Sequence, residues 1–313
     1  MHSNLITIST VGMSREEWLE IRRHGIGGSD ASAIIGLNPY SSPYAVWAEK
    51  TGKLPPKEDN EAMRQGRDLE DYVAQRWCEA TGKRVRKMNA ILKNPAYPFA
   101  HANIDRRVIG ENAGLECKTT SVMNLKRFKG GDYPESYYVQ CVHYMAVTGA
   151  DRWYLGVLVL NQGFYAYVIE RDEAEINALM AQEAAFWDYV TSGEAPPVDG
   201  SQATTEALQT IYAGEPEGTV TLFGREALIA EYQEQQARKN LADRRMEEIK
   251  QTLMSDLGDY ETGRCRSYLV NWKGQSRRNF DMKAFTAANP GIPLDPFYST
   301  STFRRFEIKE AKS

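Results

Sequence analysis

The stretch NIDRRVIGENAGLECKTT, residues 103–120, constrains the fold most, because it sets charge where a strand should set core. Residues 101–108 and 114–120 read as short strands, with the turn-like cluster ENAG between them. Between neighbouring strands, the period of two puts Glu116 and Lys118 on one face and brings Asp105 alongside Glu116. Two carboxylates and an amine are costly to bury without partners. Either the pair is an exposed hairpin with surface charges, or the acids gather a cation. Hard oxygens suit Mg²⁺, which takes one or two carboxylates together with waters and phosphate oxygens. A lysine beside them can position an attacking water and offset charge developing on a phosphate.

Glu70 adds a third acid. In EAMRQGRDLEDYVAQRW the positions Met63, Gly66, Glu70, Val73 and Trp77 follow a three-four spacing, one inward stripe of a helix over 60–81. A carboxylate in that stripe needs a partner: an arginine in a core salt bridge, or the same cation. In a helix over 134–148, Gln140 and Tyr144 lie one turn apart and share a face. Packing alone can explain that pair. His143 beside them reads as a structural donor.

RRHGIGGSDASAIIG, residues 22–36, has Gly25, Gly27 and Gly28 before a short helix. Glycine lets main-chain amides approach a ligand, and a helix start offers unpaired N–H donors, so an anion seat is one reading. A tight turn with Ser29 as N-cap is the other. A mononucleotide loop is excluded, since a charged helix precedes and neither GxGxxG nor GKS/T is present. That preceding helix, over 14–23, opens with Ser14 and Glu17 in capping-box spacing.

Further along, RWYLGVLVLNQGFYAYVIE reads as two apolar strands around Asn161-Gln162-Gly163, followed by a helix from about 172 to 192. SGEAPPVDGSQATTE is the best linker, dividing the chain into residues 1–200 and 201–313. Beyond it lies a long charged helix or helix pair, whose marks Leu228, Tyr232, Leu241, Met246, Ile249, Leu253 and Leu257 suggest a narrow buried stripe. The tail segments SYLVNWKG, FDMKAFTAANP and TFRRFEIKE read strand, helix, strand.

The net charge of −4 hides a split: residues 261–313 carry ten Lys and Arg against five Asp and Glu, a balance of +5, and the rest carries −9. A basic groove within an acidic shell is compatible with clusters such as Arg22-Arg23 and Arg106-Arg107, and the basic tail suits DNA backbone or an acidic partner surface. Cys78, Cys117, Cys141 and Cys265 form no CxxC pair, so four free, mostly buried thiols are expected rather than a disulfide or zinc scaffold. No window approaches the ~18 apolar residues of a membrane span. The N-terminus lacks a signal-peptide pattern, so the expected location is cytoplasmic.

Five segments, RRHGIGGSDASAIIG, GRDLE, HANIDRRV, LECKTT and QCVHYMAVTGADRWYLGVLV, together resemble the phage recombination exonucleases of the YqaJ and lambda-exonuclease type, a branch of the PD-(D/E)XK nucleases. They occur in the family's order and cover most of residues 15–170. The resemblance implies an α/β core with a central mixed β-sheet flanked by helices, joined here to a smaller C-terminal α+β module. It implies Glu70, Asp105 and Glu116 as metal ligands with the backbone carbonyl of Cys117, Lys118 as catalytic lysine, and Gln140 and Tyr144 as the family's QxxxY pair. Where close relatives carry a second glutamine, this chain has Val142. It further implies that Arg22 and Ser29, with Gly27 and Gly28, receive a 5′-terminal phosphate.

The activity so implied is a 5′-to-3′ exonuclease dependent on Mg²⁺, with Mn²⁺ as its substitute. It would act on linear double-stranded DNA and leave 3′ single strands for a single-strand annealing protein, within a homo-oligomer that is a trimeric ring in lambda-type enzymes. An endonuclease on the same core and a non-catalytic DNA-end binder are the alternatives.

Overall fold

Ser14 and Glu17 close the expected capping box: the Ser14 hydroxyl accepts the Glu17 N–H at 3.1 Å, and the Glu17 carboxylate accepts the Ser14 N–H at 2.8 Å. In the computed structural model, which describes residues 4–55, 59–214, 218–300 and 304–309, this box starts helix α1 (Arg15–Arg23), after strand β1 (Ile6–Ser9). There follow α2 (Gly28–Ile34), α3 (Pro43–Lys50), α4 (Glu61–Thr81), β2 (Val85–Lys87), β3 (Ala90–Lys93), β4 (His101–Asn103), β5 (Arg106–Val108) and β6 (Ala113–Thr120). A 3₁₀ segment, Val122–Gly131, leads to α5 (Glu135–Thr148), β7 (Arg152–Val159), β8 (Gly163–Glu170), α6 (Glu173–Ser192) and α7 (Gln202–Ile211). Asn60 caps α4, and Gly82 ends it with φ at +69°, a left-handed conformation that costs glycine least.

The central sheet has the order β2-β5-β6-β7-β8 and is mixed: β6 runs parallel to β7, and the other pairings are antiparallel. A smaller antiparallel sheet has the order β1-β3-β4. The parallel β6–β7 step needs a crossover, which the 3₁₀ segment and α5 supply. Trp153, Leu155, Val157 and Val159 of β7 are buried together with Cys141, Met145 and Val147 of α5. On the opposite side, Ala74 and Trp77 of α4 pack with Leu115 and Tyr154. The fold is the expected mixed sheet flanked by helices.

Residues 101–108 do not form one strand. His101–Asn103 joins the smaller sheet as β4, and only Arg106–Val108 pairs with β6, so the chain changes sheets at Ile104-Asp105.

The chain divides into two units, residues 1–213 and 214–313. The first runs past residue 200 because α7 seats on α3: Ala207 joins the cluster of Val46 and Trp47, and Thr204 Oγ1 donates to Ser42 Oγ at 2.8 Å. The second holds α8 (Glu226–Leu257), the hairpin β9 (Thr262–Cys265) and β10 (Tyr268–Asn271), and α9 (Met282–Ala288). The stripe along α8 is buried only at Leu257. Residues 304–309 form no strand, and Phe306 stays 75 % exposed, so the alternation there has no sheet face to cover. The four cysteines are free, but only Cys141 is buried and Cys265 is exposed.

Candidate active site

Glu116 and Lys118, two residues apart on β6, emerge on one face, with Lys118 Nζ 2.6 Å from Glu116 Oε1. Asp105 approaches from the step before β5. The register pairs Arg106 with Leu115, which brings Asp105 level with Glu116. Its Oδ2 accepts the Cys117 N–H at 2.8 Å, so at Cys117 it is the backbone N–H that meets the acids. Burial, reinforced by the charges of Glu116 and Glu70, pushes the Asp105 carboxyl well above the usual carboxylate range. For Lys118, burial alone would favour the neutral amine, but Glu116 outweighs it and the group is held as ammonium. The Tyr137 ring, 5.2 Å from Lys118 Nζ, adds a cation–π contact.

Gln140 ties these groups together from α5. Its Oε1 accepts from Lys118 Nζ at 2.9 Å, and its Nε2 donates to Glu116 Oε1 at 2.7 Å and to the Tyr144 hydroxyl at 2.9 Å. Both partners of the helix pair therefore face the acids. Val142, two positions on, is buried in the core instead. His143 is fully buried between Glu183, at 2.8 Å, and the His101 carbonyl, at 2.9 Å, which is the structural role read from the sequence.

Glu70 is placed otherwise than a third ligand would be. Arg106, 3 % exposed, takes Glu70 Oε1 and Asp71 Oδ1 and also donates to the Asp105 carbonyl at 2.6 Å. The arginine partner is the one found, and among the described residues no group of three or more His, Cys, Asp and Glu stands ready to hold a metal ion. Glu70 still acts on Asp105 through its charge. Sequence reasoning noted Arg106 only as part of a basic pair. Its position beside Asp105, facing a helix with an unpartnered acid, was the available signal.

A divalent cation is tested by what Asp105 and Glu116 lack. Glu116 Oε2 is buried without a hydrogen-bond partner, and Asp105 lies in a net negative field that Lys118 and the Cys117 N–H only partly offset. Hard oxygens, an orphaned acceptor and excess negative charge fit such an ion.

The glycine loop has a different rationale from the expected one. None of Gly25, Gly27 and Gly28 has positive φ. They are needed for close approach: a Cβ at Gly25 or Gly27 would lie 2.9 Å from the His101 ring, and one at Gly28 would lie 2.7 Å from Tyr144. The Gly27 N–H is already donated to Asp30 Oδ2 at 2.9 Å. Two side chains remain for an anion: Arg22 Nη2 donates to Ser29 Oγ at 3.0 Å, and Ser29 is exposed. Ile26 anchors the loop by pairing with the strand entering β4, its N–H on the Phe99 carbonyl at 2.7 Å.

The description "YqaJ-like viral recombinase domain" matches residues 17–151. The uncharacterized protein YqaJ of Bacillus subtilis is 40 % identical over 306 residues, covering 95 % of each chain. Among known structures, the alkaline exonuclease LHK-Exo from Laribacter hongkongensis aligns with a TM-score of 0.50 at 21 % identity, over 57 % of this chain and 93 % of its own. LHK-Exo in complex with dAMP aligns with a TM-score of 0.50 at 20 % identity over the same shares. At these identities the likeness is one of fold, the mixed sheet flanked by helices.

Proposed function

The chain belongs to the YqaJ-like viral recombinase family, and from that premise we propose that it is a divalent-metal-dependent exonuclease that degrades linear duplex DNA from 5′-phosphorylated ends. The observation that carries this reading is Gln140 holding Lys118 and Glu116 at 2.9 and 2.7 Å beside Asp105. Such a charged, cross-bonded set has no packing rationale. The dAMP complex of LHK-Exo is in keeping with a mononucleotide product.

Asp105 and Glu116, with the Cys117 carbonyl, would hold Mg²⁺ or Mn²⁺, and Glu70 would join them by exchanging Arg106 for the ion. When bound, the cation supplies Lewis-acid stabilisation of the charge that builds up as a phosphodiester is cleaved. Lys118, fixed by Glu116 and Gln140, orients the water that attacks and sets a positive charge against the phosphoryl oxygens. Tyr144 buttresses Gln140. Arg22 and Ser29 receive the terminal 5′-phosphate, Arg22 by charge-assisted hydrogen bonds. The 3′-ended strand left behind suits a single-strand annealing protein, and a ring-shaped homotrimer would keep the enzyme on its duplex. No helix among the described residues is long and apolar enough to cross a membrane.

The test uses linear duplexes labelled at one 5′ or one 3′ end, with and without terminal phosphate, in Mg²⁺ and in chelator. Release of mononucleotides from phosphorylated 5′ ends in Mg²⁺ alone is expected. Lys118→Ala should bind ends as wild type does, with a rate lower by about 100-fold or more. Cutting of closed circles would mark an endonuclease. Tight end binding with no release in Mg²⁺ or Mn²⁺ would mark a non-catalytic factor.

A further inference from the structure

Lys50 is the most buried cation near the glycine loop. Its side chain is 1 % exposed, and its Nζ lies 2.7 Å from Asp30 Oδ2 and donates to the Arg22 carbonyl at 2.8 Å. Nothing in the proposed chemistry uses it. An ammonium is seldom taken out of water without a specific need for its charge, because its desolvation is costly.

The need lies in Asp30. This acid is buried beside Arg22, where it would repel a phosphate and compete for the arginine. Its two oxygens have different partners. Oδ2 is taken by Lys50 and by the Gly27 N–H, at 2.7 and 2.9 Å. Oδ1 faces Arg22 Nη2 at 3.8 Å, beyond hydrogen-bond range. Arg22 instead spends that nitrogen on Ser29 Oγ and stacks over the Trp18 ring at 4.6 Å, with 21 % of its side chain exposed. Burial would raise the Asp30 carboxyl, but Lys50 first and Arg22 second outweigh it, so the acid is fully ionised. His101, below the loop, is neutral at ordinary pH, since burial and the Arg22 charge push it down to about 3. Arg22, Lys50 and Asp30 therefore leave one net positive charge, carried on the partly exposed arginine.

We propose that Lys50 is a positioning residue: it cancels Asp30 and so keeps the Arg22 guanidinium free for a terminal phosphate monoester. Without Lys50, Arg22 is the remaining cation for Asp30, the loose 3.8 Å ion pair tightens into a hydrogen-bonded one, and the seat becomes neutral. This rests on the reading of Arg22 as the 5′-phosphate receiver and adds the device that keeps it available.

The experiment measures kcat/KM on blunt duplexes with 5′-phosphoryl and 5′-hydroxyl ends for wild type, Arg22→Ala, Lys50→Met and the double variant Asp30→Asn/Lys50→Met. The readout is the phosphoryl-to-hydroxyl ratio within one preparation, which a partly folded sample leaves unchanged because it lowers both rates alike. Lys50→Met is expected to reduce the ratio on the order of tenfold, chiefly through KM for phosphorylated ends. The double variant, with no acid left to capture Arg22, is expected to recover it. A ratio kept in Lys50→Met but lost in Arg22→Ala overturns the inference alone. A wild type without preference, or an Arg22→Ala variant that keeps it, overturns the phosphate reading and the inference together. If Lys50→Met gives no folded protein, the double variant decides: a wild-type ratio supports the role, and a lost ratio refutes it.

Discussion

Gly28 and Tyr144 touch so closely that a Cβ added at residue 28 would lie 2.7 Å from the tyrosine ring. The contact joins α2 to α5 and, through the Tyr144 hydroxyl on Gln140, the glycine loop to the acids.

Gly28→Ala tests that seam by the sign of its effect. In an open helix the change stabilises by about 0.5–1 kcal/mol. Here the ring must move, and overpacking costs about 1–3 kcal/mol. A lower Tm and a slower nuclease are expected, and in a Tyr144→Leu background the Tm penalty should shrink. A gain in Tm from the single change would contradict the packing described.

Asp105→Asn separates stability from chemistry. Asparagine keeps an oxygen for the Cys117 N–H and replaces an acid whose charged form burial, Glu116 and Glu70 all disfavour. In chelator the variant should melt at or above the wild-type temperature. Its nuclease activity should vanish. Thermal melts in chelator paired with digestion assays in Mg²⁺ check both halves.

His101 gives the first unit an acid limit. Its folded pKa of about 3 lies below the 6.5 of an exposed imidazole, so the unfolded chain takes up a proton that the folded one refuses. The stability linked to this ring is complete above pH 6.5 and drains as pH falls toward 3, at up to about 1.4 kcal/mol per unit. His143 works in the opposite sense: burial opposes its proton, but Glu183 outweighs that and raises its pKa. The difference between wild type and His101→Gln isolates the first ring. The variant should lose less stability than wild type between pH 6.5 and about 4.5 in denaturant titrations.

Truncation distinguishes the two candidate boundaries. A fragment ending at residue 213 keeps Ala207 in its cluster and the Thr204–Ser42 hydrogen bond, whereas one ending at 200 loses both. The shorter fragment should be weaker by about 1–2 kcal/mol, or roughly 2–8 °C in Tm. Equal melting temperatures would mean that α7 adds nothing to the first unit.

What the sequence disclosed follows from how locally each feature is encoded. Glu116 and Lys118 lie two apart in one strand, Gln140 and Tyr144 one turn apart in one helix, and Ser14 and Glu17 in one cap, so periodicity placed each pair. Arg106 as the partner of Glu70, and Lys50 as the partner of Asp30, depend on how separate elements pack, and no periodicity links those positions. The glycines show the same limit. Their spacing suggested a ligand, while the groups that forbid a side chain there, His101 and Tyr144, come from a strand and a helix far along the chain. The boundary at 200 followed a Pro- and Gly-bearing stretch, which marks a surface crossing as readily as the end of a unit.

β6 has a hydrogen-bonded neighbour on each side, β5 and β7, and α4 and α5 cover the sheet around it. Strands without a free edge are the last to exchange their amide hydrogens, whereas loops and termini open far more often. β7 pairs with β6 along its whole length, so Glu116 and Lys118 are anchored on an inner strand, while Ser29 stands exposed at the rim. A loop at the rim can open without disturbing the spacing of the acid and the amine that β6 and β7 hold together.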